Sequence, residues 1–224
     1  IVYCLSRKKV EEIAEFLQVN NINALPYHAG LEKDIRKTNQ EQFLGDKIDV
    51  IVATIAFGMG IDKPNVRYVI HFDAPKSLEG YYQETGRAGR DGRAADCMLF
   101  YSYKDIIKLE KFNKEKQPEE RAKAIMLLDE VSGYAETADC RSQDLLQYFG
   151  EHLDEKCGHC DNCKEPKEQF DAEQELTFLL NSVTSTSKKR SAKVIVKRVD
   201  EQANEIKEME GYSSHFWASM VRQA

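Results

Sequence analysis

The stretch DVIVATIAFGMGIDKPNVRYVIHFD, residues 49–73, decides how the chain is read. Its first six residues are near-continuously apolar, the pattern of a strand buried on both faces of a parallel sheet. VRYVIHFD (66–73) reads as a second strand, and between the two the chain crosses Gly58, Met59 and Gly60 before Asp62. Glycines beyond a strand's end let backbone N–H groups approach a phosphate closely, and Thr54 adds a hydroxyl. An ordinary turn would use the same residues, so both readings of this loop stand.

Working outward, IVYCL (1–5), ALPYH (24–28) and DCMLFY (96–101) supply three more strand candidates. Val10, Ile13, Ala14 and Leu17 share one helical face, with Ser6 as N-cap; a second helix-like stretch carries Ile35, Phe43 and Leu44; Ser77 opens a third. Strands alternating with helices predict a parallel α/β sheet, whose ligands meet the loops at the carboxyl ends of the strands. Ser6 and Arg7 follow the first strand and His28 ends the second, where phosphate contacts belong. A lone histidine such as His28 is also an ordinary structural residue. Cys4 and Cys97, alone in apolar runs, are expected to be buried thiols.

Beyond residue 104 the pattern turns helical, through KDIIKLEKFNKEK, PEERAKAIMLLDEVSGYA with Pro118 near a helix start, and CRSQDLLQYFGE. The last leads into Cys140, Cys157, Cys160 and Cys163, a C-x16-C-x2-C-x2-C spacing. Four thiolates close a tetrahedral structural zinc site and leave no open position for catalytic water. His152 and His159 lie nearby, but four cysteines need no further ligand. Disulfides are disfavoured because the chain carries no secretory signal pattern. Residues 164–169 read as a linker, and SKKRSAKVIVKR (187–198) is a basic run that either contacts duplex phosphates or forms a solvated loop.

GYYQETGRAGRDGR (80–93) groups Arg87, Arg90 and Arg93 on a segment too rich in glycine for a stable helix. If a helix from Ser77 extends far enough, Gln83, Arg87 and Arg90 project from one side, with Gly86 and Gly89 keeping that side low. Arginine suits a phosphate there because its fork is planar and permanently charged. No G-x-x-x-x-G-K-[ST] loop and no acidic magnesium motif occurs in the sequence. The arginines are therefore offered to a nucleotide that another lobe must cradle.

Composition is compatible with this reading. The 224 residues are 42% apolar with a net charge of −6, which argues against a uniformly basic nucleic-acid binder but not against local cationic sites. No apolar run approaches the roughly 20 residues that span a bilayer. The chain opens on IVYCLS without an initiator Met, which suggests a piece of a longer protein.

These motifs resemble the second motor lobe of RecQ-family DNA helicases over residues 1 to about 165. IVYCLSRKKVEEIA with YHAGL looks like the motif IV region, VATIAFGMGIDKPNVR like motif V, EGYYQETGRAGRDG like motif VI, and CGHCDNC with Cys140 like the zinc subdomain. The resemblance implies a RecA-like lobe at 1–104, a helical zinc-binding subdomain at 105–168 and a partial or divergent winged-helix α+β region at 169–224. It implies an ATP-driven 3′→5′ DNA helicase acting in recombination and repair, with ATP and Mg²⁺ shared with an amino-terminal RecA-like lobe. By carry-over, Arg90 is the arginine finger, Arg87 and Gln83 couple the site to closure, and Asp62 touches the ribose or those arginines. Ser6, Arg7, His28, Thr54, Gly58 and Met59 grip the tracking strand at a single-strand/duplex junction.

The resemblance further implies a cytoplasmic, nucleoid-associated setting in a bacterium or a nuclear one in a eukaryote, with a single-strand-binding protein as a partner of the winged-helix region. SSHFWASMVRQ resembles the end of a winged helix, although the preceding stretch is short for one. Two other readings stand beside the motor: a non-catalytic zinc-containing nucleic-acid binding module, and half of an RNA-directed helicase.

Overall fold

A computed structural model of the chain describes residues 1–58, 61–167, 171–184, 192–203, 216–217 and 220–221. Two compact units divide it, Ile1–Ala135 and Glu136–Ala224.

The first unit is built on five parallel strands: β1 (Val2–Tyr3), β2 (Ala24–Tyr27), β3 (Val50–Ala53), β4 (Tyr68–His71) and β5 (Asp96–Leu99). Their order is β2-β3-β1-β4-β5, with Val2 opposite both Val52 and Ile70. Side chains alternate across a strand, so the two faces of β1 and β3 build separate cores. Ile1, Tyr3, Ile51 and Ala53 join Phe43, Phe57 and Val69 on one face. Val2, Cys4 and Val52 join Val10 and Ala14 on the other. Cys4 is buried as expected.

Helix α1 (Arg7–Val19) covers the second face, its N-terminus capped by the Ser6 hydroxyl accepting from the Lys9 N–H at 3.2 Å. Helix α2 (Lys33–Leu44) lays Phe43 on the first face. Ile35 of this helix faces solvent, and Asn39 is buried, donating to the Pro26 carbonyl at 2.8 Å. Pro26 lies on the edge strand β2, opposite Val52. The other edge, β5, is exposed from Asp96 to Met98 and half-buried at Leu99, so Cys97 is an exposed thiol rather than a buried one.

Helix α3 (Leu78–Thr85) starts at the Ser77 N-cap, whose hydroxyl accepts from the Gly80 N–H at 3.2 Å. It stops at Thr85, so the single helix face expected for Gln83, Arg87 and Arg90 does not form; both arginines lie on the turns that follow. Gly89 adopts φ of 62°, and a Cβ there would come within 2.8 Å of the Arg93 carbonyl oxygen. Its absence of a side chain serves the turn itself.

Helices α4 (Tyr103–Phe112) and α5 (Pro118–Glu136) follow. Contacts place α4 and nearly all of α5 with the sheet, and Tyr134 packs against Tyr81 of α3 with ring centroids 5.5 Å apart. The second unit holds α6 (Arg141–Tyr148), α7 (Asp161–Lys164), α8 (Glu173–Thr184) and α9 (Ala192–Ala203). Leu179, Val199, Ala203 and Trp217 form a buried cluster there. The winged-helix reading falls partly outside the described residues, as do positions 187–191 of the basic run; 192–198 lie in α9.

Candidate nucleotide, nucleic-acid and zinc sites

Parallel strands bring their carboxyl ends to one edge, which gathers most of the residues singled out from sequence. Ser6 and Arg7 leave β1, and Arg7 lies over Gly30, where a Cβ would sit 3.0 Å from its Cδ and Nη1. His28 ends β2 and is buried. Its Nε2 lies 3.1 Å from Glu11 Oε1, and its Nδ1 accepts from the Gly30 N–H at 3.2 Å. Both ring nitrogens are thus engaged within the fold. Thr54 leaves β3, its N–H donating to the Tyr27 carbonyl and its carbonyl accepting from Phe57. Met59 lies outside the described residues.

The loop after β3 meets the arginines. Arg87 Nη1 donates to the Ile61 carbonyl at 3.4 Å, and Arg90 Nη1 donates to the same carbonyl at 3.2 Å. Arg90 also pairs with Asp62 Oδ1 at 3.2 Å and donates through Nε to Gly86 at 3.1 Å. Gly58 gives Arg87 room, since a Cβ there would lie 3.1 Å from Nη2. A cavity of about 330 Å³ opens beside them, lined by Ile55, Gly58, Lys76, Gln83 and Arg87 among others. Two guanidinium groups meet at one carbonyl, and Arg87 with Lys76 gives the cavity wall a cationic side able to receive an anion.

Arg67 braces this turn from below. Its Nη2 donates to both carboxylate oxygens of Asp91 at 2.6 Å, and Nη1 donates to the Ala94 carbonyl at 3.0 Å.

In the second unit, the sulfurs of Cys140, Cys157, Cys160 and Cys163 lie within 4.8 Å of one another, and those of Cys157 and Cys163 are 3.9 Å apart. Tetrahedral ligation at a Zn–S distance of about 2.3 Å requires sulfurs about 3.8 Å apart. Asn162 donates to the Thr137 and Asp139 carbonyls at 2.9 and 2.7 Å. Arg141 forks onto Asp161 with two bonds of 3.0 Å. The two chain segments that carry the cysteines are therefore tied together beside the sulfurs.

Residues 1–92 match the helicase conserved C-terminal domain, and residues 103–164 match the RecQ zinc-binding domain. The chain is 50% identical over 173 residues to the ATP-dependent DNA helicase RecQ of Pasteurella multocida, covering 76% of this chain and 27% of that protein. Residues 1–164 belong to the RecQ helicase family. A Bacillus subtilis protein of the same name is 42% identical over 200 residues, covering 89% of this chain and 34% of its own. A mimivirus relative named as a putative ATP-dependent RNA helicase is 44% identical over 164 residues, covering 73% of this chain and 30% of its own. The chain spans about a quarter to a third of the length of these curated relatives. No helix among the described residues is long and apolar enough to cross a membrane.

Within this RecQ-type zinc-binding domain the four clustered cysteines could hold a metal ion, and their chemistry fits a dication. Burial works against the Cys157 thiolate, but hydrogen bonds from Ser142 and the backbone N–H groups of His159 and Cys160 outweigh it and bring the thiol down to about 5. Desolvation, together with its hydrogen bond to Cys160, pushes Cys163 up to about 12. Four neighbouring thiolates repel one another unless a cation lies between them, which zinc supplies.

Several residues of this RecQ-type edge escaped the sequence reading. Tyr3, His71, Glu84 and Arg67 sit within strand or helix patterns whose spacing predicts only packing or solvation. Asp161 and Asn162 carried a signal, since both stand between ligating cysteines, where side chains hold the metal loop.

Proposed function

We propose that this chain supplies the second motor lobe and zinc subdomain of an ATP-dependent 3′→5′ DNA helicase. In this reading Arg90 reaches the γ-phosphate of an ATP cradled with Mg²⁺ by a separate phosphate-loop lobe. Arg87 and Gln83 relay closure, and Asp62 holds Arg90 or the ribose. Ser6, Arg7, Thr54, Gly58 and Met59 face the tracking strand, while His28 supports that surface by fixing the Gly30 N–H beneath Arg7. The observation that carries the reading is the convergence of Arg87 and Arg90 on the Ile61 carbonyl beside Asp62. This cationic corner lies at the ligand edge of a sheet whose own sequence has no phosphate loop.

A single-strand/duplex junction as substrate, a single-strand-binding protein as partner of the tail, and a nucleoid or nuclear location belong to the same proposal. So does the division at 104/105 and 168/169.

An arginine finger is typically worth 10³–10⁵ in rate, or roughly 4–7 kcal/mol of barrier. Arg90→Ala in the intact enzyme is expected to abolish most DNA-stimulated ATP hydrolysis while single-stranded DNA affinity is retained. Near-normal turnover in that variant rejects the assignment. Because one relative is named an RNA helicase, stimulation is measured with both polymers; a response to RNA alone favours the RNA-directed reading.

A further inference from the structure

Tyr3 ends the central strand and is 3% exposed, yet its side chain reaches two parts of the candidate nucleotide site. Its hydroxyl donates to the Phe57 carbonyl at 2.9 Å, which ties the middle of the sheet to the loop after β3. Arg87 packs on the next residue of that loop, since a Cβ on Gly58 would lie 3.1 Å from its Nη2; burial raises the Tyr3 phenol's proton affinity and Arg87 draws it back. Arg87 Nε is buried without a hydrogen-bond partner, so the placement of this cation depends on its remaining contacts.

The ring of Tyr3 is itself held. It stacks on His71 with centroids 5.3 Å apart and planes 25° from parallel. His71 Nε2 shares a hydrogen bond of 2.6 Å with Glu84 Oε2, and His71 packs against Tyr81 with centroids 4.9 Å apart. Glu84 lies at the end of α3, three residues before Arg87. The strand, the loop and the arginine-bearing turn therefore meet at one side chain, the loop at its hydroxyl and the turn, through His71, at its ring.

We propose that Tyr3 is a positioning residue for Arg87, with His71 and Glu84 fixing the ring. Its hydroxyl holds the Phe57 carbonyl and the Arg87 guanidinium in one register, so that the loop and the arginine move as a unit. A purely structural role would leave the hydroxyl serving Phe57 alone, with no energetic link to Arg87. The inference rests on the motor reading for its kinetic consequence, but not for the coupling itself.

Tyr3→Phe keeps the ring and removes only the oxygen. In the intact enzyme it is expected to lower kcat for DNA-stimulated ATP hydrolysis about tenfold, with KM for ATP changed less than about twofold. In an Arg87→Ala background the same change is expected to have no further effect, since residues acting through one another are non-additive. Glu84→Gln, tested in the same way, is expected to show the same non-additivity with a smaller loss. Wild-type kcat in Tyr3→Phe, or losses that multiply in full, overturns the proposal. If the wild-type enzyme shows no stimulated hydrolysis, the motor reading fails, and melting temperatures decide the coupling. Shifts for Tyr3→Phe and Arg87→Ala that fall short of their sum in the double variant support it, and fully additive shifts overturn it.

Discussion

Gly89 shows how one position serves both fold and site. Its φ of 62° lies in the left-handed region, its N–H donates to the Val66 carbonyl at 3.0 Å, and a Cβ would meet backbone oxygen at 2.8 Å. A non-glycine residue held in that region costs about 1–3 kcal/mol. Gly89→Ala is expected to destabilise the protein by at least about 1 kcal/mol, read by denaturant melts. Because Gly89 stands between Arg87 and Arg90, ATP hydrolysis should fall with it. A variant as stable and active as the wild type would show that the turn tolerates a shift of the Arg93 carbonyl.

At the scale of elements, the turn after α3 is held by an ion pair with a defined pH response. Hydrogen bonding from Arg67 holds the Asp91 carboxyl below its ordinary range, against the opposing effect of desolvation. A depressed pKa in the folded state contributes stability that is present above the unfolded value and lost as pH falls through the folded one. Asp91→Asn should therefore melt below the wild type at neutral pH, and the gap should close as pH falls below the ordinary carboxylate range. A constant gap across that range would mean that the loss comes from packing rather than charge.

The elements were largely legible in sequence. All five strands fall where apolar runs were read, because short β-branched and aromatic runs between turn residues mark strands even at the sheet edges, and Ser6 and Ser77 cap helices as their hydroxyls predict. What was not legible depends on neighbours distant in sequence. Ile35 faces solvent, whereas Asn39, one turn on, is buried through its bond to the Pro26 carbonyl. Cys97 is exposed because β5 is an edge, which composition does not reveal. The arginines converge through a turn rather than a helix, so their spacing suggested the neighbourhood but not the route. Tyr3 and His71 were invisible because a strand pattern gives polar rings no mark of their own.

At the scale of the whole molecule, the two compact units have different sources of stability. The first has two cores flanking a sheet, whereas the zinc segment from Thr137 to Lys164 has only short helices around its sulfurs. Metal binding there is folding free energy. Chelation is expected to remove one zinc per chain and the helical signal of α6 and α7, while the sheet lobe persists as a separate melting transition. Asp161→Asn breaks the fork from Arg141 and is expected to weaken zinc retention about 10–100-fold, followed by transfer of zinc to a competing chromophoric chelator. Unchanged retention would show that the Asn162 bonds hold the loop without it.

The two margins of the sheet are unlike. On the β2 side, Pro26 has no amide hydrogen to offer and its oxygen is taken by Asn39. That side cannot recruit an additional extended chain, whereas β5 presents an unblocked backbone with Met98 and Phe100 exposed. Self-association of a partly melted molecule should accordingly nucleate on the β5 side, and a lysine or proline introduced there would be the economical way to suppress it.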